Sequence, residues 1–328
     1  MKQADIFKEA KQLDDHLTRK AVVLNKAEWD PEKITFGKTK VRNSDDGTRI
    51  LLEKLKIPGP YFDRIDDDLK IYTMNHLLKQ TDLELISHLY DEGGNMPQLL
   101  GFSNMRTSSL SVEQTYRAIL NAVPMDDYAI TVVKIKPDLC RVDILTPREI
   151  DVGTEKKNDR IRIGGTFTMW PDMRHVPHVE GYNIRLVCSN GMIAPSERAV
   201  MKGWGKDPAN VYERLADAVE QVFEEMEDQE LVEKFKSLKE HTFDNREQLD
   251  EAMRKLFRTL NVPLSLRNDV IEAWEEEEDL SMFGIVNAFT AAANGEEITL
   301  NERRLLQSIG GNITYDHQLC PICKRNLN

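Results

Sequence analysis

The chain has 328 residues, 40% of them hydrophobic and 30% charged, with a formal net charge of -12. That is enough for two domains or one large one, and no stretch approaches the roughly 18 consecutive apolar residues of a membrane span. So acidic a surface argues against indiscriminate coating of DNA, although a local basic patch remains compatible with it.

The N-terminal stretch MKQADIFKEAKQLDDH is charged and amphipathic and lacks the apolar core of a secretion signal, so the expected compartment is the cytoplasm. Residues 4–28 read as one helix, because Ile6, Ala10, Leu13, Leu17 and Val22 recur near helical spacing. KITFGKTKVR, Lys33 to Arg42, reads as a strand. Short helices follow, broken at Pro58-Gly59-Pro60, where proline removes a backbone donor. Residues 1–82 are expected to pack on the core as an N-terminal helical and strand segment.

From Leu83 to Ser189 the chain becomes a series of short β-rich runs separated by glycine and proline turns. One helix is expected among them, near Ser111 to Ala122, where SVEQ supplies a serine cap with glutamine three residues later. Ala129–Lys136 and Cys140–Leu145, joined by Pro-Asp-Leu, predict a hairpin. Arg185 to Cys188 reads as a core strand, with Asn190-Gly191 as its exit turn, since both residues tolerate positive φ. Residues 83–206 are thus expected to form a β-rich core domain.

After Lys206 the pattern turns helical and acidic. Val211, Leu215, Ala218, Val219, Val222 and Met226 predict an apolar stripe, and further helices are expected near 229–240, 246–260, 265–279, 281–294 and 299–309. Asp207 to Phe289 holds 22 acidic and 9 basic side chains, whereas Gly101 to Lys206 holds 15 basic and 12 acidic. An acidic helical domain over 207–310 and a tail over 311–328 complete the expected order. The fold class is α+β: an antiparallel β-rich core with flanking helices, then a helical C-terminal domain.

IRIGGTFTMWPDM followed by EGYNIRLVCSNGM resembles the central pattern of the phage- and plasmid-encoded domain of unknown function 932 family. LLGFSNMRTSSLSVEQ resembles an earlier element of that family, and the likeness covers about residues 80–205. The TMWPDM and APSERAVMKGWG stretches depart from its pattern. The family has no settled activity. What the resemblance implies is a phage or mobile-element setting, and thus the host cytoplasm, with an associational hint of recombination and DNA work.

No Walker loop, nucleophile elbow, zincin or deaminase signature is present, so an enzyme is not the favoured class. MRHVPHVEG gathers His175, His178 and Glu180, with Asp172 nearby, but reads as a polar loop in preference to a metal site. Cys140 and Cys188 lie in apolar runs and are expected to be buried, inert thiols. At the end, YDHQLCPICKRNLN holds His317, Cys320 and Cys323. A Cys-x-x-Cys turn brings two thiolates toward one point, which suits structural zinc. A fourth ligand would come from His241, His16 or a second copy of the chain, the last making a homo-oligomer. An unliganded tail or a redox dithiol are the competing readings.

The β-rich stretch also carries many cations, Arg141 among them. Lys134 with Lys136, and Arg160 with Arg162, each share a strand face by period-two alternation. Arg174 and Arg185 lie further along, and Phe167 and Trp170 follow Arg162. A basic strand face beside aromatics suits single-stranded nucleic acid, with annealing or protection of strands as the role. The alternative is a non-enzymatic protein-interaction factor. Its acidic helices would mimic DNA or dock on a host or phage protein.

Overall fold

The computed structural model describes residues 2–94, 96–107, 109–123, 128–151, 160–173, 175–185, 190–194, 207–225 and 229–315. The first helix, α1 (Gln3–His16), ends well before residue 28. The chain forms β1 (Leu17–Val23), a single 3-10 turn at Leu24–Lys26, and β2 (Ala27–Trp29) instead. Thr18, Val22 and Val23 are stiff at χ1 and favour extended backbone. β1 also pairs along its whole length with β5 (Glu84–Tyr90), from Leu17↔Tyr90 to Val23↔Glu84.

KITFGKTKVR forms two strands, not one. β3 (Lys33–Phe36) and β4 (Thr39–Arg42) are antiparallel and close at Phe36↔Thr39. Gly37 sits in the turn at φ 60, where a side chain would be strained. Three helices follow: α2 (Asp45–Lys54), α3 (Gly59–Phe62) and α4 (Asp67–Gln80). With β6 (Gln98–Asn104) the first sheet runs β1-β5-β6-β4-β3-β2. The division expected at 82/83 falls within this sheet.

β1 and β2 stand at opposite ends of that order, yet only the turn at Leu24–Lys26 separates them. Four residue steps reach at most roughly 14 Å, while six flat strands would span about 24 Å. The sheet therefore curls until its two ends approach. The sheet, α2 and α4 bury a separate core that includes Val22, Leu51, Met74, Leu78, Leu85 and Leu99.

α5 (Val112–Asn121) begins the second module, and Ser111 caps it by accepting from Gln114 N, as the capping pattern predicts. β7 (Ala129–Ile135), β8 (Cys140–Asp151), β9 (Arg160–Met169), β10 (His178–Arg185) and β11 (Asn190–Ala194) form an antiparallel meander in order β11-β10-β9-β8-β7. The expected hairpin is β7–β8. Asn190-Gly191 is not the exit turn, because both residues are already in β11, with Arg185↔Asn190 and Ile184↔Gly191 paired. Gly191 is required there by close approach: a Cβ would lie 1.9 Å from the Tyr182 hydroxyl.

Six helices complete the described chain: α6 (Pro208–Glu225), α7 (Gln229–Glu240), α8 (Arg246–Thr259), α9 (Leu264–Glu277), α10 (Met282–Ala292) and α11 (Leu300–Tyr315). Val211, Leu215, Ala218, Val219 and Val222 are buried on α6, as the stripe predicts; Met226 lies outside the described residues. These helices share one hydrophobic core with the second sheet, α1 and α5. α1 joins that core through Ile6, Ala10 and Leu13. Its Asp14 accepts from Val112 N at 2.8 Å, Glu113 N at 2.9 Å and Ser111 Oγ at 2.7 Å, satisfying the start of α5. No helix among the described residues is long and apolar enough to cross a membrane.

Candidate functional site

Strand register decides which cations share a surface. Lys134 faces Arg141 across the β7–β8 pair, and Arg141 faces Thr168 across β8–β9. Alternation puts Arg160 and Arg162, which have the parity of Thr168, on the same side, and Lys136 follows Lys134 one residue past the end of β7. Four of the expected binding residues are thus on one face of the second sheet. The two pairs stand apart: the six residue steps of β9 from Arg162 to Thr168 span about 20 Å.

Their environments differ. Lys134 and Lys136 are exposed, and no carboxylate among the described residues lies at ion-pair distance from either. Arg160 and Arg162 converge on one acid: Arg160 Nη1 donates to Glu149 Oε2 at 3.2 Å and Arg162 Nη2 to Glu149 Oε1 at 2.5 Å. These hydrogen bonds hold the Glu149 carboxyl below its ordinary range, first through Arg162 and then Arg160. Asp151 stands opposite Arg160 across the same strand pair, as Glu149 stands opposite Arg162, so this end of the face carries two acids beside its two arginines. Arg174 lies outside the described residues, as does the side chain of Arg185, whose backbone ends β10.

Arg141 does not belong to that surface. It is 1% exposed, and its Nη2 also donates to Gln307 Oε1 at 2.8 Å. Burial opposes its charge, but Asp143 more than restores it, so the guanidinium is held above its ordinary value. Thr166 Oγ1 donates to Asp143 Oδ1 at 2.6 Å, and the Tyr182 ring lies 5.7 Å from the guanidinium. Asp143, two residues on, shares the strand face and claims the cation that composition assigns to the surface. Phe167 and Trp170 are also buried, at 0% and 7% exposure, and are withdrawn from base stacking.

The segment with His175 and His178 wraps a tryptophan. The two imidazoles meet the Trp170 ring edge-on, at 4.8 and 5.2 Å between centroids. Glu180 accepts from Arg304 Nη2 at 2.8 and 2.7 Å. Burial lowers the His178 pKa, with the Glu180 charge opposing. No group of three His, Cys, Asp or Glu among the described residues gathers at metal-binding geometry.

A polar cleft of about 380 Å³ lies where the first sheet meets the second module, lined by Arg49, Glu53 and Lys54 of α2, Ser103 and Asn104 of β6, and His175. Beneath it, His88 Nε2 and Ser103 Oγ are 2.7 Å apart. Arg19, cross-strand from His88, donates through Nη2 to Leu110 O at 2.5 Å. Burial first, and then the Arg19 charge, pushes the His88 pKa down to about 3. This pair is missed by motif reasoning. Its sequence signal is only one histidine inside the apolar run LELISHLY. A neutral imidazole so reluctant to charge can orient a hydroxyl but is a weak base near neutral pH.

Cys140 is the buried thiol expected, with Sγ 3.3 Å from Lys136 O and its pKa raised by burial. Cys188, His317, Cys320 and Cys323 lie outside the described residues. No protein-family model matches the chain, and no curated protein or solved structure is significantly similar to it.

Proposed function

We propose that the protein binds single-stranded nucleic acid through two basic ends of one face of the second sheet, Lys134 with Lys136 and Arg160 with Arg162, on either side of the buried Arg141, Thr166 and Thr168. The observation that carries this reading is their shared face, with two lysines at one end that are in no ion pair among the described residues and, at the other, two arginines opposite Glu149 and Asp151. With Phe167 and Trp170 in the core, contact is to phosphates, and affinity follows counterion release. The phage-family resemblance supports the same setting by association only. A structural zinc held by His317, Cys320 and Cys323 belongs to this proposal as an ordering element for the tail.

The test is titration with a labelled single-stranded oligonucleotide at two salt concentrations. Binding should weaken steeply with salt, and replacing all four cations by Glu should abolish it and flatten the salt slope. No binding at about 50 mM salt, which favours phosphate contacts, would refute the reading. The exposed acids of α6 and α9, among them Glu213, Asp217, Glu220 and Glu276, favour the second reading, a docking surface for a basic protein.

A further inference from the structure

The curl of the first sheet leaves a pocket of about 250 Å³ at its seam. β1, the end strand, forms one wall with Lys20, Ala21 and Val22; the β3–β4 turn brings Phe36 against it, and Leu89 of β5 lines the interior. Lys26, in the turn that links β1 to β2, stands at the margin. Phe36 is held in place edge-on to Phe102, with ring centroids 5.9 Å apart. The buried hydroxyl of Ser87 is already committed to Lys20 O at 3.1 Å.

Among the described residues the lining is mostly apolar, and its ionisable groups are two lysines. Both are exposed, neither is in an ion pair among the described residues, and no Asp or Glu lines the space. An apolar cavity bordered by unpaired ammonium groups selects a ligand with an apolar body and an anionic head, because either part alone would leave the other half of the site unmatched. The volume is below the roughly 300–1,000 Å³ of drug-sized sites, so the ligand is small. As an end strand, β1 also turns part of its backbone donors and acceptors toward the seam.

We infer that this pocket is a binding site for a medium-chain carboxylate, with the chain between Val22, Phe36 and Leu89 and the carboxylate between Lys20 and Lys26. The site is on the first sheet and is independent of the nucleic-acid face.

Calorimetric titration of the full chain with octanoate, octanol and octylamine tests it. Octanoate should bind at one site per chain, and octylamine at least about tenfold more weakly. Lys20→Gln with Lys26→Gln should reduce octanoate to the level of octanol. Ala21→Trp, at an exposed position that tolerates bulk, should block both, with the circular dichroism spectrum unchanged. Octanoate should leave oligonucleotide binding unaltered, so failure here and failure of the nucleic-acid reading are separable. No octanoate binding up to about 10 mM, equal affinity for octanoate and octylamine, or binding that survives both the lysine replacements and Ala21→Trp would overturn the assignment.

Discussion

Arg141 donates through Nε and Nη2 to the two carboxylate oxygens of Asp143, at 2.7 and 2.8 Å, with both side chains 1% exposed. A paired buried charge is tolerable, whereas a lone one is not. Asp143→Ala should therefore destabilise the fold by about 3–5 kcal/mol, measured by urea unfolding. Replacing both partners, Arg141→Met with Asp143→Leu, should recover much of that loss, since no charge is then stranded. A double variant as unstable as the single one would show that Thr166 and Gln307 depend on the pair.

Glu149 neutralises part of the proposed nucleic-acid face. Glu149→Gln should release Arg160 and Arg162 and strengthen oligonucleotide binding several-fold, with a steeper salt slope. Its depressed pKa keeps the carboxylate charged at mildly acidic pH. Its stabilising contacts are present above the ordinary carboxylate range and lost as pH falls through the lowered value. Unchanged binding in Glu149→Gln would place the interface elsewhere.

His88 makes stability depend on pH. Its folded pKa, about 3, is below the unfolded value near 6.5. Between those values the unfolded chain binds the extra proton, so stability rises with pH and is lost as pH falls. Between pH 6 and pH 5 the loss should be about 1 kcal/mol. His178 shifts in the same direction, so the informative comparison is with His88→Gln, which keeps a hydrogen-bonding side chain but cannot titrate. That variant should show a shallower slope in unfolding free energy over this range, and an identical slope would contradict the assignment.

The acidic helices should respond by face. Val219 is fully buried on α6 and Glu224 is exposed. Val219→Asp should cost about 3 kcal/mol by burying an unpaired charge, and Glu224→Gln should leave the melting temperature unchanged. Similar losses from both would mean that the exposed acids carry structural contacts.

For the tail, elemental analysis of protein purified without chelator should find about one zinc per chain, or half that where two chains share an ion. Cys320→Ser should remove it while the far-UV spectrum stays intact. Metal-free protein would leave the two cysteines as a dithiol.

Local pattern alone determined much of this molecule. The helices at 229–240, 246–259 and 264–277, the Ser111 cap and the β7–β8 hairpin were legible because each depends on short-range periodicity or a cap within a few residues. Long-range pairing decided the rest. Leu17 and Val22 fit a helical stripe, but β5, more than 60 residues away, supplied a strand partner that nothing local announces. Gly191 looks like a turn residue until Tyr182 is laid over it. The sharpest case is charge. Lys134 and Arg141 are both cations in a basic β-rich stretch, and they stand directly opposite each other across β7 and β8. Lys134 remains exposed, whereas Arg141 is buried because Asp143, Thr166 and Gln307 of α11 close around it. A sequence states which groups carry charge; only packing, by removing water and providing a partner, states which of them can meet a ligand.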